Sequence, residues 1–219
     1  MELRSKETKE QIPKNESGRV ELPTRLFAKM DNTGKGDKPE NLRPQIGYLG
    51  DISKRDKAEL NEARESVMRA ADFIKNHAET PVERKTAEEL SEYIKAGKVV
   101  LCDTKEIMGK RYAGVFGRID EKTREPIIGI DIKGIKDKGA AELVDTLFHE
   151  SYHAAQHKAG HNNDEIKEET KAWNLGLEMS NKYRGEHGEK ISKTKPYTET
   201  DLLFMGYPAS DGRSFTEIC

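Results

Sequence analysis

The run from Ala140 to Ala159 constrains this chain more than any other part of it. On a helical wheel, Leu143, Val144, Leu147, Ala154 and Ala155 occupy one side, while His149, Glu150, His153 and His157 occupy the other. The spacing therefore predicts a helix that packs through its first face and presents imidazoles and a carboxylate on its second. Gly160 stops it. Asn162 to Asp164 supplies a cap for another helix running to about Tyr183, so the fold must hold two helices joined by a tight turn.

His149-Glu150-Ser151-Tyr152-His153 reads H-E-x-x-H. Residues four apart lie one turn apart on one face, so the two imidazoles can converge on a single ion with Zn–N distances of ~2.0–2.1 Å. Glu150 is rotated by ~100° from His149, which lets it reach a water on the metal rather than the metal itself. Four of the 6 histidines fall between residues 149 and 161, which argues against incidental surface placement.

A catalytic zinc needs a third protein ligand and one open position. The second helix offers Glu165, Glu168 and Glu169. Its apolar face carries Ile166, Trp173, Gly176 and Leu177. Glu169 lies within that face, Glu165 on its margin, and Glu168 points away. A carboxylate among apolar groups is costly unless paired or metal-bound, so Glu169 is the expected ligand, with Glu165 next. Antiparallel helices joined near Gly160 would bring His153 and Glu169 to similar heights, and Ala172 and Gly176 would permit close approach. His157 continues the four-residue series, but three ligands on one straight helix would span ~12 Å. His161 could bend back from the helix end. Asp145 is placed to orient His149, though a solvated aspartate is the simpler expectation.

Elsewhere the chain predicts an α+β fold. Residues 1–50, with DNTGKGDKPENLRP at Asp31 to Pro44, read as a flexible polar arm, and residues 51–219 as a single domain. Ala63, Val67, Ala70, Ala71 and Ile74 mark an amphipathic helix within Ser53 to Ala78. A second has Thr80 as N-cap, Pro81 in its first turn, Glu83 completing a capping box and Gly97 as its stop. Three strand-like runs follow, Lys98 to Asp103, Tyr112 to Asp120 and Pro126 to Lys133, expected as a short antiparallel meander. Gly114, Gly117 and Gly129 within them point to bulges or close backbone approach.

The 38 basic and 40 acidic residues are interspersed, which excludes the footprint of a nucleic-acid binder. No apolar run approaches a membrane span and the first residues lack a signal-peptide h-region. Only Cys102 and Cys219 are present, which suits a reducing compartment, so the expected location is cytoplasmic, or outside the cell by a route needing no classical signal.

With His149, Glu150 and His153 followed by Glu169 in ETKAW, the chain resembles the zincin metallopeptidases of the gluzincin type, over about residues 98 to 183. The resemblance implies a small antiparallel sheet beside the active-site helix, an edge strand that aligns an extended peptide, and zinc as cofactor. It also implies hydrolysis of a protein or peptide substrate with Glu150 as base; a polar arm on such an enzyme would fit a bacterial toxin or effector. Trp173 stands where gluzincins often carry an aspartate, and Gln156 and Lys158 exclude the metzincin pattern. The donor to the transition-state oxyanion is open among Tyr183, His187 and Tyr197. Two alternatives stand beside this reading: a deformylase-like metal amidase with Cys102 as ligand, and a non-peptidase regulatory protein that keeps a zincin-like metal site.

Overall fold

A computed structural model describes residues 46–50, 55–118, 125–161, 166–191, 195–205 and 207. Residues 1–45 of the expected arm lie outside them. The arm's end does not: Gly47–Leu49 forms a strand, β1, and Ile46 beside it is buried in the core.

Two helices follow. α1 (Lys57–His77) starts at Asp56, whose carboxylate accepts from the Ala58 amide, and it buries Val67, Ala70, Ala71 and Ile74. α2 (Pro81–Lys95) begins as the sequence predicts. The Thr80 hydroxyl accepts from the Glu83 amide at 3.2 Å, and the Glu83 carboxylate accepts from the Thr80 amide at 2.8 Å. Such a cap contributes about 1 kcal/mol. The chain leaves α2 through Gly97 at φ 68°, a conformation glycine adopts without Cβ strain.

The remaining elements are β2 (Val99–Cys102), α3 (Thr104–Met108), β3 (Gly114–Arg118), β4 (Pro126–Asp131), α4 (Ile132–Lys138), α5 (Ala140–Lys158), α6 (Ile166–Glu186) and α7 (Glu199–Phe204). The class is α+β, but the sheet is mixed rather than an antiparallel meander. Its strand order is β1-β2-β4-β3, with β2 parallel to both β1 and β4, and only β3 antiparallel to β4. The reason lies in burial. Val99, Leu101, Ile128 and Ile130 are inaccessible or nearly so, and strands this apolar take interior positions with neighbours on both sides. β3, with two glycines and Arg118, takes the edge.

α5 is the hub. It packs on α1, α2, α4 and α6 and against β3 and β4. Val67, Ile74, Leu90, Leu101, Ile128, Leu147, Phe148 and Met179 fill the space between these elements. Each large side chain so buried stabilises the fold by roughly 1.5–3 kcal/mol. The part of the histidine side that carries His149 and His153 is therefore no open surface: α6 and β3 cover it, while His157 further along is exposed. Among the described residues, no helix is long and apolar enough to cross a membrane.

Candidate metal centre

Two turns of α5 and one turn of α6 build the site. His149 and His153 present their Nε2 atoms 3.1 Å apart. Glu169 faces both, with Oε2 at 3.6 Å from His149 Nε2 and Oε1 at 3.4 Å from His153 Nε2. Ligand atoms ~2.0–2.1 Å from a tetrahedral ion stand ~3.3–3.4 Å from one another, so the imidazole pair and the nearer Glu169 oxygen to each ring lie close to what one small cation requires. The buried Oε2 of Glu169 also has no hydrogen-bond partner among the described residues, a costly state that a cation would relieve. Two imidazoles and a carboxylate are donors that a metal cation can use. Among the described residues this group has three members, leaving one tetrahedral position for water or substrate.

The imidazoles titrate in opposite directions. Burial, and next the neighbouring His153, hold His149 well below the ordinary histidine value. Burial pulls His153 down too, but the Glu169 carboxylate, with Glu150 and Glu168, outweighs it and holds that ring above the ordinary value. Neutral imidazole at His149 leaves a lone pair for a metal.

Glu150 lies beside the cluster without joining it. Burial pushes its carboxyl up to about 7, with Glu169 pushing the same way, against the pull of His153 and of the Phe116 amide on β3. A carboxyl near 7 can both take and return a proton at neutral pH. The edge strand sits hard against it. A Cβ at Gly114 would fall 2.6 Å from Thr146 Cγ2 and 3.0 Å from Glu150 Cγ, so glycine is what lets β3 approach. Gly129 is a second close approach, against Val115 and Cys102, whereas Gly117 faces open space.

The structure also places the other expected residues. Glu168 accepts from the Tyr152 hydroxyl at 2.5 Å and so clasps α6 to α5 away from the cluster. Glu165 lies outside the described residues. His157 packs its ring edge on Phe116, with centroids 5.8 Å apart, and His161 is exposed past the end of α5. Asp145 is half-buried rather than solvated: its carboxylate lies against Gly176, where partial burial pushes it up to about 7. Cys102 turns into the sheet, where its thiol donates to the Ile130 carbonyl at 3.7 Å and burial raises it to about 12. The deformylase-like alternative, which needs that sulfur at the metal, therefore loses its third ligand.

Tyr183 and His187 stack on each other at 4.0 Å and pack beside Phe73 of α1, on another side of the molecule. Tyr197, the third candidate, packs on Trp173 with ring centroids 5.5 Å apart, and the same indole also holds a tyrosine the sequence did not single out. Tyr207 accepts a hydrogen bond from Trp173 Nε1 at 3.4 Å, and the same indole meets the His149 ring edge-on, with centroids 5.2 Å apart. Burial raises the Tyr207 hydroxyl above its ordinary value, helped by the carboxylates of Glu169 and Glu150, so it stays protonated. A lone tyrosine beyond a six-residue helix has no period to reveal it.

No protein-family model, no curated protein and no solved structure matches the chain.

Proposed function

We infer that the protein is a zinc-dependent peptidase, with His149, His153 and Glu169 as ligands and Glu150 as general base. The observation that carries this reading is a pair of imidazole nitrogens 3.1 Å apart, each 3.4–3.6 Å from an oxygen of the Glu169 carboxylate, beside a second carboxyl, Glu150, outside the cluster. Two imidazoles and one carboxylate, with no fourth ligand among the described residues, suit a catalytic rather than a closed structural zinc, which also weighs against a purely regulatory site. The edge strand β3 beside α5 supports a zincin-like arrangement, because its free side can pair with an extended peptide.

A bound zinc supplies Lewis acidity that makes water nucleophilic near neutral pH. Glu150 takes the proton at its carboxylate and returns it to the departing amine. Its burial keeps that proton close in energy on either partner. Tyr207, protonated and hung from Trp173, is our assignment for the donor to the carbonyl oxygen as it gains charge.

The test compares wild type, Glu150→Gln and His153→Ala on a proteome-derived peptide library, with metal content measured on each. Glu150→Gln is expected to keep one zinc and lose hydrolysis by roughly 10²–10⁴-fold. His153→Ala is expected to lose the metal as well. Equal product sets from wild type and Glu150→Gln would defeat the reading.

A further inference from the structure

Trp173 is the sole tryptophan of the chain, one helical turn beyond Glu169, and it touches three different things. Its indole meets the His149 ring at 5.2 Å and the Tyr197 ring at 5.5 Å, and its Nε1 donates to the Tyr207 hydroxyl at 3.4 Å. Tyr197 and Tyr207 flank α7, so one side chain holds the segment before and after that helix.

The next residue fastens the same segment. Asn174 donates from Nδ2 to the Tyr197 carbonyl at 2.9 Å and accepts from the Tyr197 amide at 2.6 Å. A Thr198–Asp201 capping box then starts α7, and its Leu202 is fully buried. The Tyr207 amide donates back to the Leu202 carbonyl at 3.0 Å, which sets where the phenol emerges. By contrast, Phe204 and Met205 on the same stretch are exposed, so burial of the segment is confined to the α6 side.

We propose that Trp173 is a positioning residue that fastens the α7 segment to the metal centre and holds the Tyr207 hydroxyl in place for the reaction. The kinetic half of this rests on the peptidase reading above; the fastening itself does not. An indole wedged between a ligand imidazole and a phenol makes segment docking and centre geometry a single arrangement. Trp173→Phe keeps the ring that packs on His149 and Tyr197 but removes the N–H that holds Tyr207. Asn174→Ala releases Tyr197 without touching the indole.

With one tryptophan, the ¹⁵N-labelled full chain gives one indole N–H resonance. In Tyr207→Phe this resonance is expected to move and its solvent exchange to quicken roughly threefold to tenfold, the range for one hydrogen bond of ordinary net strength. Asn174→Ala should shift it the same way, and zinc should move it in wild type because the indole abuts His149. In hydrolysis, Trp173→Phe and Tyr207→Phe should each lower kcat with KM and zinc affinity unchanged, and the double variant should be no worse than Tyr207→Phe. Additive losses, or a fall in zinc affinity as large as the fall in kcat, would show that Trp173 acts on His149 instead. An indole resonance identical in wild type, Tyr207→Phe and Asn174→Ala overturns the fastening even in an active peptidase. A wild type without Glu150-dependent hydrolysis defeats the peptidase reading alone and leaves the resonance to decide.

Discussion

Asp145→Asn is expected to stabilise the protein, and by more at alkaline than at acid pH. Asp145 sits on α5 against Gly176 of α6, with Glu142 nearby adding repulsion and Arg184 and Lys138 too weakly placed to offset its burial. Its carboxyl rises from an ordinary 3.8 to about 7 in the fold. The folded chain thus holds a proton that the unfolded chain has lost, and stability falls as pH climbs from about 4 to about 7. At ~1.4 kcal/mol per unit, ionisation in the unfolded state costs the fold about 2 kcal/mol at pH 5.5 and about 4 kcal/mol at pH 8.5. Asparagine keeps the shape and has no charge to bury. Urea unfolding of both proteins at the two pH values should therefore show Asp145→Asn ahead at each, with the margin wider by about 2 kcal/mol at pH 8.5. A margin that is constant with pH would mean that Asp145 is not held protonated by α6, and a loss of stability would mean that its charge has a partner.

Gly114→Ala should leave zinc stoichiometry intact and lower hydrolysis, because the new methyl meets Thr146 Cγ2 and then Glu150 Cγ; crowding of this kind also costs about 1–3 kcal/mol in stability, readable by thermal melting. Cys102 should resist thiol reagents in the native protein and react once it is unfolded, since burial holds its thiol at about 12. Cys102→Ala should bind zinc as wild type does, and a loss of zinc in that variant would revive the sulfur-ligand alternative.

What the sequence disclosed was local. α2 was legible because Thr80, Pro81, Glu83 and Gly97 mark both of its ends, and all four do in the structure what their chemistry predicts. The place of Glu169 beside His149 and His153 was legible because a carboxylate on an apolar helix face needs a reason to be there. The sheet order was not, because periodicity reports which strands are buried and not which neighbour each one takes. α3 and α4 escaped for a related reason. They span one or two turns, and their only signal is an aspartate, Asp103 or Asp131, that caps a helix directly after a strand. Asp145 was misjudged as solvated since its burial is imposed by a helix more than twenty residues away.

That helix pair also explains why the centre exists. Going back along α5 from His153 to His149 to Asp145, the facing residues on α6 advance from Glu169 to Trp173 to Gly176. Steps of about four residues in opposite directions are one turn each, so a single antiparallel register carries the ligand pair, the indole contact and the close approach. Gly176 sets the separation: a Cβ there would lie 2.9 Å from the Asp145 carbonyl oxygen, which would force the helices apart. Because Glu169 lies only two turns from Gly176, a larger residue at 176 would draw its carboxylate away from the imidazoles while leaving every ligand in the sequence. On the reading proposed above, metal affinity is therefore expected to depend on a glycine that never touches the metal, and the HExxH residues alone would not supply it.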